Sequence, residues 1–308
     1  MNRAGQRGIA LLVALLVVAL ATVLIAGLID RGELGFVRTR NQLLEAQAQA
    51  YAQGLETYAA RVLQQDWAMN GGSAGDSNSS VWAVPLPPTP VPNGLISATM
   101  RDRNGCFNLN NLVDANGQPN APWPDKFRLL LNALRLDPNL ADAVVAWMNT
   151  QPGVEDPYYL AQPVPYREAK RGFVHVSELR LVKGVSGNVY AALAPHVCAL
   201  PTGTRININT ATAPVLMTLN GVNTLEVAQR IWQEGHANYS SLGDLASTVP
   251  GIQTQSAYYG VRSTYFLARG DITLDGLPFT FYSLIERRLG AGANGGIRVM
   301  GRSRGGEE

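Results

Sequence analysis

From Ile9 to Ile29 the chain runs 21 residues without a charge, and Asp30 and Arg31 end the run. As a helix this segment spans roughly 31 Å at about 1.5 Å per residue, the thickness of a bilayer core. Ahead of it, Met1 to Gly8 is polar and carries Arg3 and Arg7. By the positive-inside rule these basic residues keep Met1 in the cytoplasm and leave the remainder outside. Beyond the run, Leu44, Ala48, Tyr51, Leu55, Tyr58 and Val62 recur at spacings of three and four, the apolar stripe of a helix. The spacing predicts one helix from Ile9 to about Asp66, roughly 87 Å long. Its second half needs a globular partner to cover the stripe.

The pattern then changes. Asn70 to Ser80 is Gly-, Ser- and Asn-rich and reads as a polar linker. Leu95 to Asp102 alternates and predicts a strand, while the prolines between Pro85 and Pro92 exclude an interior strand there. From about Pro124 the period is helical. Helices are predicted in KFRLLLNALRL, in DPNLADAVVAWMNT behind the start pair Asp137–Pro138, and in HVSELRLV with Ser177 as cap. Further ones follow in VYAALAPHV, TAPVLMTL, TLEVAQRIWQEG and SLGDLAST, the last behind Ser240 and Ser241. From Tyr258 the pattern is strand again, with turns expected at Gly270–Asp271 and Asp275–Gly276. Gly290 to Glu308 is Gly- and Arg-rich and is expected to be disordered. Two sets of strands separated by a helical block predict an α+β fold, the strands forming one sheet against the long helix.

Composition narrows the function classes. With 46% hydrophobic and 16% charged residues the chain is too apolar to be disordered, and a net charge of +2 supplies no field that calls for nucleic acid. Three His and two Cys leave little for a transition-metal site. Cys106 and Cys198, an even count outside the cytoplasm, favour a bridge, with two buried free thiols as the alternative. Gly71 to Gly75 matches G-x-S-x-G but lies in a linker, and Gly290, Gly292 and Gly295 match G-x-G-x-x-G without a following helix. His175, His196 and His236 fall in three segments without a Ser or Cys partner.

For the N-terminus a cleaved secretory signal and an ordinary anchor both compete. A short basic leader ending in Gly8 before IALLVALLVVALATVLIAG resembles the class III signal of type IV pilins and pseudopilins. The resemblance implies that prepilin peptidase cuts between Gly8 and Ile9 and methylates the new terminus. Most pilins carry Glu at the fifth mature position; here it is Val13. A carboxylate inside a membrane helix costs about 2.5–3.5 kcal/mol and requires a partner. In the family that partner is the amino terminus of the subunit ahead, which a subunit at a filament tip lacks.

Val13, the order helix–strands–helical block–strands, and the phrases CFNLNNL, GVEDPYY, PYREAKRGFVHVSELRLVKGV and RININTATAPVL together resemble the K-type minor pseudopilin of type II secretion systems. The resemblance runs from Arg7 to about Arg288. It implies a pilin-like fold, a long N-terminal helix on an antiparallel sheet, interrupted by a large all-α domain of SAM-like or helix-hairpin-helix-like units. The expected divisions are a leader at 1–8, a membrane and filament-core helix at 9–29 and its periplasmic part at 30–66. Pilin-like parts follow at 67–110 and 258–288 around a helical insertion at 111–257, with the tail at 289–308. The implied role is an inner-membrane, single-pass, non-enzymatic tip subunit with its globular part in the periplasm. Its partners would be the I-type and J-type minor pseudopilins, other pseudopilus subunits and prepilin peptidase, with secreted proteins as further contacts.

Other readings attach to particular residues. Glu155 and Asp156 in GVEDPYY are the carboxylates that would hold Ca²⁺, which the K-type resemblance implies as a ligand; the bland reading is a turn. RININTATAPVLMTLNGVNTLEVAQRIWQEG resembles the helix-hairpin-helix modules of competence DNA-binding proteins, with Gly221-Val222-Asn223 as the hairpin. The second hairpin Gly is replaced by Asn223, and Glu226 and Glu234 accompany Arg230, so a membrane-anchored periplasmic DNA-binding protein is the alternative and nucleic acid is not expected. An anchored hydrolase ranks last for want of a placed nucleophile, base or metal cluster.

Overall fold

The structure, a computed structural model, describes residues 3–69, 75–150, 156–288 and 296–306. Helix α1 (Arg3–Met69) is uninterrupted over 67 residues, roughly 100 Å at about 1.5 Å per residue. Leu44, Ala48, Leu55, Ala59 and Leu63 form its buried face. Tyr58 of the predicted stripe is instead 47% exposed. A helix drifts against any fixed spacing of three and four, so Ala59 and Leu63 take the inward places.

Strands β1 (Leu86–Val91) and β2 (Gly94–Asp102) come first. Four short strands follow: β3 (Phe107–Asn108), β4 (Val197–Cys198), β5 (Ile206–Asn207) and β6 (Tyr259–Gly260). The last three are β7 (Tyr265–Leu274), β8 (Leu277–Arg288) and β9 (Gly296–Arg304). The long strands form one antiparallel sheet in the order β1-β2-β7-β8-β9. Leu55 and Leu44 pack on Ile272 and Leu274, while Ala59 and Leu63 pack on Trp82, Phe266 and Ile285. The prolines do lie in a strand, β1, but at the sheet edge, where a missing N–H interrupts no ladder.

Two expectations about the end of the chain are corrected. Gly270–Asp271 is not a turn; it lies within β7, opposite Phe281 and Thr280. Gly270 sits where α1 passes close: a Cβ there would stand 2.9 Å from Leu55 Cδ1, which would have to move. The turn is Asp275–Gly276, whose φ values of +47° and +79° suit a two-residue hairpin. The tail expected to be disordered contains β9, paired with β8 from Phe281–Arg304 to Arg288–Gly296. Its Gly and Arg content hid the alternation. Ile297 packs beside Ile285, and Arg302 reaches Glu56 on α1 through two bonds of 2.8 Å.

The chain leaves the sheet after Asp102 and rejoins it at Tyr265, in neighbouring strands. Between them lie α2 (Trp123–Ala133), α3 (Leu140–Met148), α4 (Pro157–Leu160), α5 (Gly187–Leu193), α6 (Ala213–Leu216), α7 (Leu225–Trp232) and α8 (Leu242–Thr248). Ser186, Thr224 and Ser241 cap α5, α7 and α8, the side-chain acceptors that helix N-termini require. HVSELRLV is a 3₁₀ helix, Val176–Leu181, and its cap is His175 rather than Ser177. These elements share one core around Phe107, Trp123, Phe127, Leu130 and Met148.

Buried asparagines wire the loops of this block. Asn108 accepts from Leu200 N at 2.9 Å and donates to Pro201 O at 2.9 Å. Asn111 accepts from Gly203 N and donates to Thr204 O, both at 2.8 Å. Asn209 exchanges two bonds with the Tyr239 backbone, at 2.8 and 3.0 Å. An amide carries both donor and acceptor, so each asparagine satisfies two backbone groups that no ladder reaches. Cys106 and Cys198 are bridged, their Cα atoms 5.8 Å apart and 92 residues apart in sequence.

A second polar cluster joins the block, the sheet and the end of α1. Arg287 on β8 pairs with Asp66 on α1 at 3.4 Å and with Asp76, and each of the three is less than 5% exposed. Asp76 also accepts from Ser263 N at 2.7 Å and Trp82 Nε1 at 3.2 Å. The described end of the predicted linker is thus anchored: Asp76 and Ser77 are buried. Burial, and then the neighbouring Asp76 charge, push the Asp66 carboxyl above its ordinary range.

Three outcomes follow for the detergent-solubilised chain. Arg287→Ala leaves two buried carboxylates uncompensated and is expected to destabilise by about 3–5 kcal/mol in urea unfolding; a change within 0.5 kcal/mol, the scatter of ordinary surface sites, contradicts the triad. Replacing both cysteines by serine is expected to remove about 2–5 kcal/mol in the same assay, and an unchanged midpoint contradicts a stabilising bridge. The Arg302 hydrogen bonds hold the Glu56 carboxyl below its ordinary 4.5. Their contribution is therefore present above that value and is lost as pH falls through the lowered one. Protection factors of β9 should fall in acid in the native chain and be lowered already at neutral pH in Glu56→Gln; equal protection of β9 in both at neutral pH contradicts the contact.

Candidate functional site

The described residues present one large uncovered apolar surface, and it is on α1. Every residue from Leu11 to Gly27 is exposed, Leu12 by 70% and Leu16 by 69%. By length and composition this is a helix able to cross a membrane, with a mean hydropathy of 3.0 in its most apolar window. Fully burying one Leu or Val is worth about 1.5–3 kcal/mol, so an exposed row of more than ten cannot stand in water. Exposure continues above it at Leu34, Phe36, Val37 and Leu43 before the sheet takes over at Leu44.

The predicted N-terminal residues lie on this helix. Gly8 and Ile9 are within α1. Val13 is 53% exposed on its surface, with no carboxylate within the run to be neutralised. Among the described residues none from Leu11 to Gly27 packs on the globular part, so whatever covers this stretch comes from outside the chain.

The remaining predicted residues do not gather with it. The Cys106–Cys198 bridge lies at the base of the helical block, beside Leu200 and Tyr265. Glu155 lies outside the described residues. Asp156 caps α4, accepting from Tyr158 N at 2.9 Å, and pairs with Lys183 Nζ at 2.9 Å; these contacts hold its carboxyl low. A calcium ion there would have to displace the Lys183 ammonium, and among the described residues no three His, Cys, Asp or Glu stand together as ligands.

In the hairpin, Gly221 has φ +91° and backs onto the 249–252 turn: a Cβ would meet Gly251 O at 2.2 Å. Asn220 O accepts from Gln253 N at 2.9 Å. The two hairpins therefore face each other, and Val222 between them is buried, which is the behaviour of a packing unit. His196 bonds Thr212 Oγ1 at 2.8 Å, and burial pushes its imidazole down. His175 serves as a cap. The two glycine motifs fall largely outside the described residues. The sequence reading missed the Asp66–Asp76–Arg287 triad. The available signal was Arg287 at the end of an apolar strand, a position that burial makes ionically demanding.

Comparison with known proteins bears on the same features. The family model for type II secretion system (T2SS) protein K matches residues 105–202, within the block that hangs between β2 and β7. Type II secretion system protein K of Pseudomonas aeruginosa is 34% identical over 322 residues, covering 98% of this chain and 94% of that protein. The protein of the same description from Pectobacterium carotovorum is 34% identical over 309 residues, covering 92% and 93%. A chain in the crystal structure of the GspK-GspI-GspJ complex from the enterotoxigenic Escherichia coli type 2 secretion system superposes with a TM-score of 0.72 at 26% identity. The match covers 88% of this chain and all of that one. Identity of 34% along nearly the whole chain, with the family match inside the helical block, leads to one assignment: the chain belongs to the type II secretion system protein K family.

Proposed function

We propose that this chain is a minor pseudopilin at the tip of the type II secretion pseudopilus, where it starts or caps the filament and so supports protein export across the outer membrane. One observation carries the reading: α1 runs unbroken from an apolar segment with no cover of its own into a stripe that the sheet buries. Before assembly, lipid covers the lower half in the inner membrane, with the globular part in the periplasm. After assembly, the same surface packs on the corresponding helices of neighbours, the packing of apolar helices whose exposure is intolerable in water. The I-type and J-type minor pseudopilins are the partners in this reading, because a similar chain crystallised in the GspK-GspI-GspJ complex.

Val13 supports a place at the tip of the filament. A subunit with a carboxylate there needs an amine ahead of it, and Val13 needs none. The pilin-like part is α1 with the five-stranded sheet, and the helical block inserted between β2 and β7 stands where the next subunit would be added. Cleavage after Gly8 by prepilin peptidase, with methylation of Ile9, releases α1 for extraction from the bilayer.

Gly8→Leu should leave the leader attached and abolish secretion. Mass spectrometry of the protein from secreting cells is expected to find a methylated Ile9 terminus in the native chain and Met1 in the variant. An intact Met1 in the native chain of secreting cells sinks the processing step.

A further inference from the structure

The helical block meets the sheet through two chain crossings, one after β2 and one before β7. A cavity of about 240 Å³ opens at this junction, lined by Asn104, Thr202, Gly203, Thr204, Arg205, Arg262, Thr264 and Tyr265. Two arginines are among its lining residues, one from the block (Arg205) and one from the second crossing (Arg262). No carboxylate is among its lining residues, and among the described residues neither arginine forms an ion pair. Arg205 makes one long bond, 3.4 Å, to Ser256 O, and Arg262 lies over the Trp67 ring at 5.5 Å.

The floor of the cavity is rigid. Asn104 is 3% exposed and uses its whole amide on the two walls: Nδ2 donates to Arg205 O at 3.0 Å, and Oδ1 accepts from Thr264 N at 3.1 Å and Tyr265 N at 2.8 Å. The hydroxyls of Thr202 and Thr204 already donate, to Asn110 O and Pro201 O. The charged donors among the lining residues are those of Arg205 and Arg262. A guanidinium binds an oxyanion through two parallel N–H groups, and the cavity takes one arginine from each side of the junction.

We propose that this cavity is an oxyanion site, filled by a free tetrahedral anion or by an acidic side chain of an assembly partner, that clamps the helical block to the sheet. The ligand would bridge Arg205 on one side of the junction and Arg262 on the other. A competing role is that the arginines act only as distant countercharge to Asp66, Asp76 and Asp102 behind the floor, which Arg287 alone does not balance. That role needs no ligand and no saturation, so it is separable by experiment.

The test is thermal unfolding of the detergent-solubilised full chain at fixed ionic strength, titrated with sodium sulfate and, separately, with an acetylated, amidated Gly-Glu-Gly peptide. Sulfate stabilises proteins generally by exclusion from their surface, so the native chain is compared throughout with Arg205→Gln. That exposed residue can change without disturbing the core. The expected result is a saturable rise in melting temperature in the native chain whose half-saturation concentration increases at least about tenfold in Arg205→Gln, the loss of roughly one charge-assisted bond. Arg262→Lys, which keeps the charge but not the fork, should weaken binding less than Arg262→Gln. A response to sulfate alone assigns a free anion, and a response to the peptide assigns a partner carboxylate. Parallel, non-saturating curves for native and variant chains with both ligands would overturn the site and leave the countercharge role.

Discussion

The constraint on which the structure depends is that one helix has twice the apolar length that its own chain can cover. The sheet buries α1 from Leu44 to Leu63 and stops. Below that point the exposed leucines and valines must be sheltered by something else, and both available shelters, lipid and other helices, are apolar. The difference in free energy between them is small compared with the penalty of leaving either for water. Under the proposed function, a subunit built this way would pass from one shelter to the other without unfolding. The absence of a charge between Ile9 and Ile29 keeps that exchange free of an ionic toll.

The upper half of the molecule is organised for stiffness. α1 ends at a buried triad in which Asp66, Asp76 and Arg287 bring helix, loop and strand to one point. Beside it, Asp102 accepts from Ser263 Oγ at 2.6 Å, Asn207 Nδ2 at 3.0 Å and Asn104 N at 2.7 Å. Burial pushes the Asp102 carboxyl up to about 6, against the pull of its hydrogen bonds from Ser263, Thr210 and Asn104. Charges and amides taken out of water are stabilising only when geometry holds them in place. A force applied to the helical block would thus pass to α1 through hydrogen-bonded contacts rather than through a loose hinge.

The parts legible in the sequence were those where one pattern dominates. The apolar run, the stripe above it, the alternation of Leu95 to Asp102 and the helix start at Ser240–Ser241 all follow from local chemistry. The errors came where tertiary contacts override composition. β9 reads as Gly- and Arg-rich coil because its stability lies in the ladder with β8 and in Arg302–Glu56, neither of which is local. Gly270 reads as a turn because a glycine inside a strand is rare, and the reason for it, Leu55, is 215 residues away. His175 replaced Ser177 as a cap because an imidazole acceptor is an uncommon substitute for a hydroxyl. The asparagines of CFNLNNL and RININT carried the family resemblance, and the structure supplies their physical role as connectors between backbone segments.

The central claim is that the exposed face of α1 is covered first by lipid and then by other subunits' helices. Single cysteines at Leu12, Leu16 and Leu20 of the chain, paired with cysteines at matching depth in the candidate partner helices, would be oxidised in living cells during active secretion. The account predicts subunit–subunit disulfides on the exposed face that vanish when assembly is blocked. Labelling by lipid-phase reagents alone at all three positions, with no subunit crosslink during secretion, would contradict it.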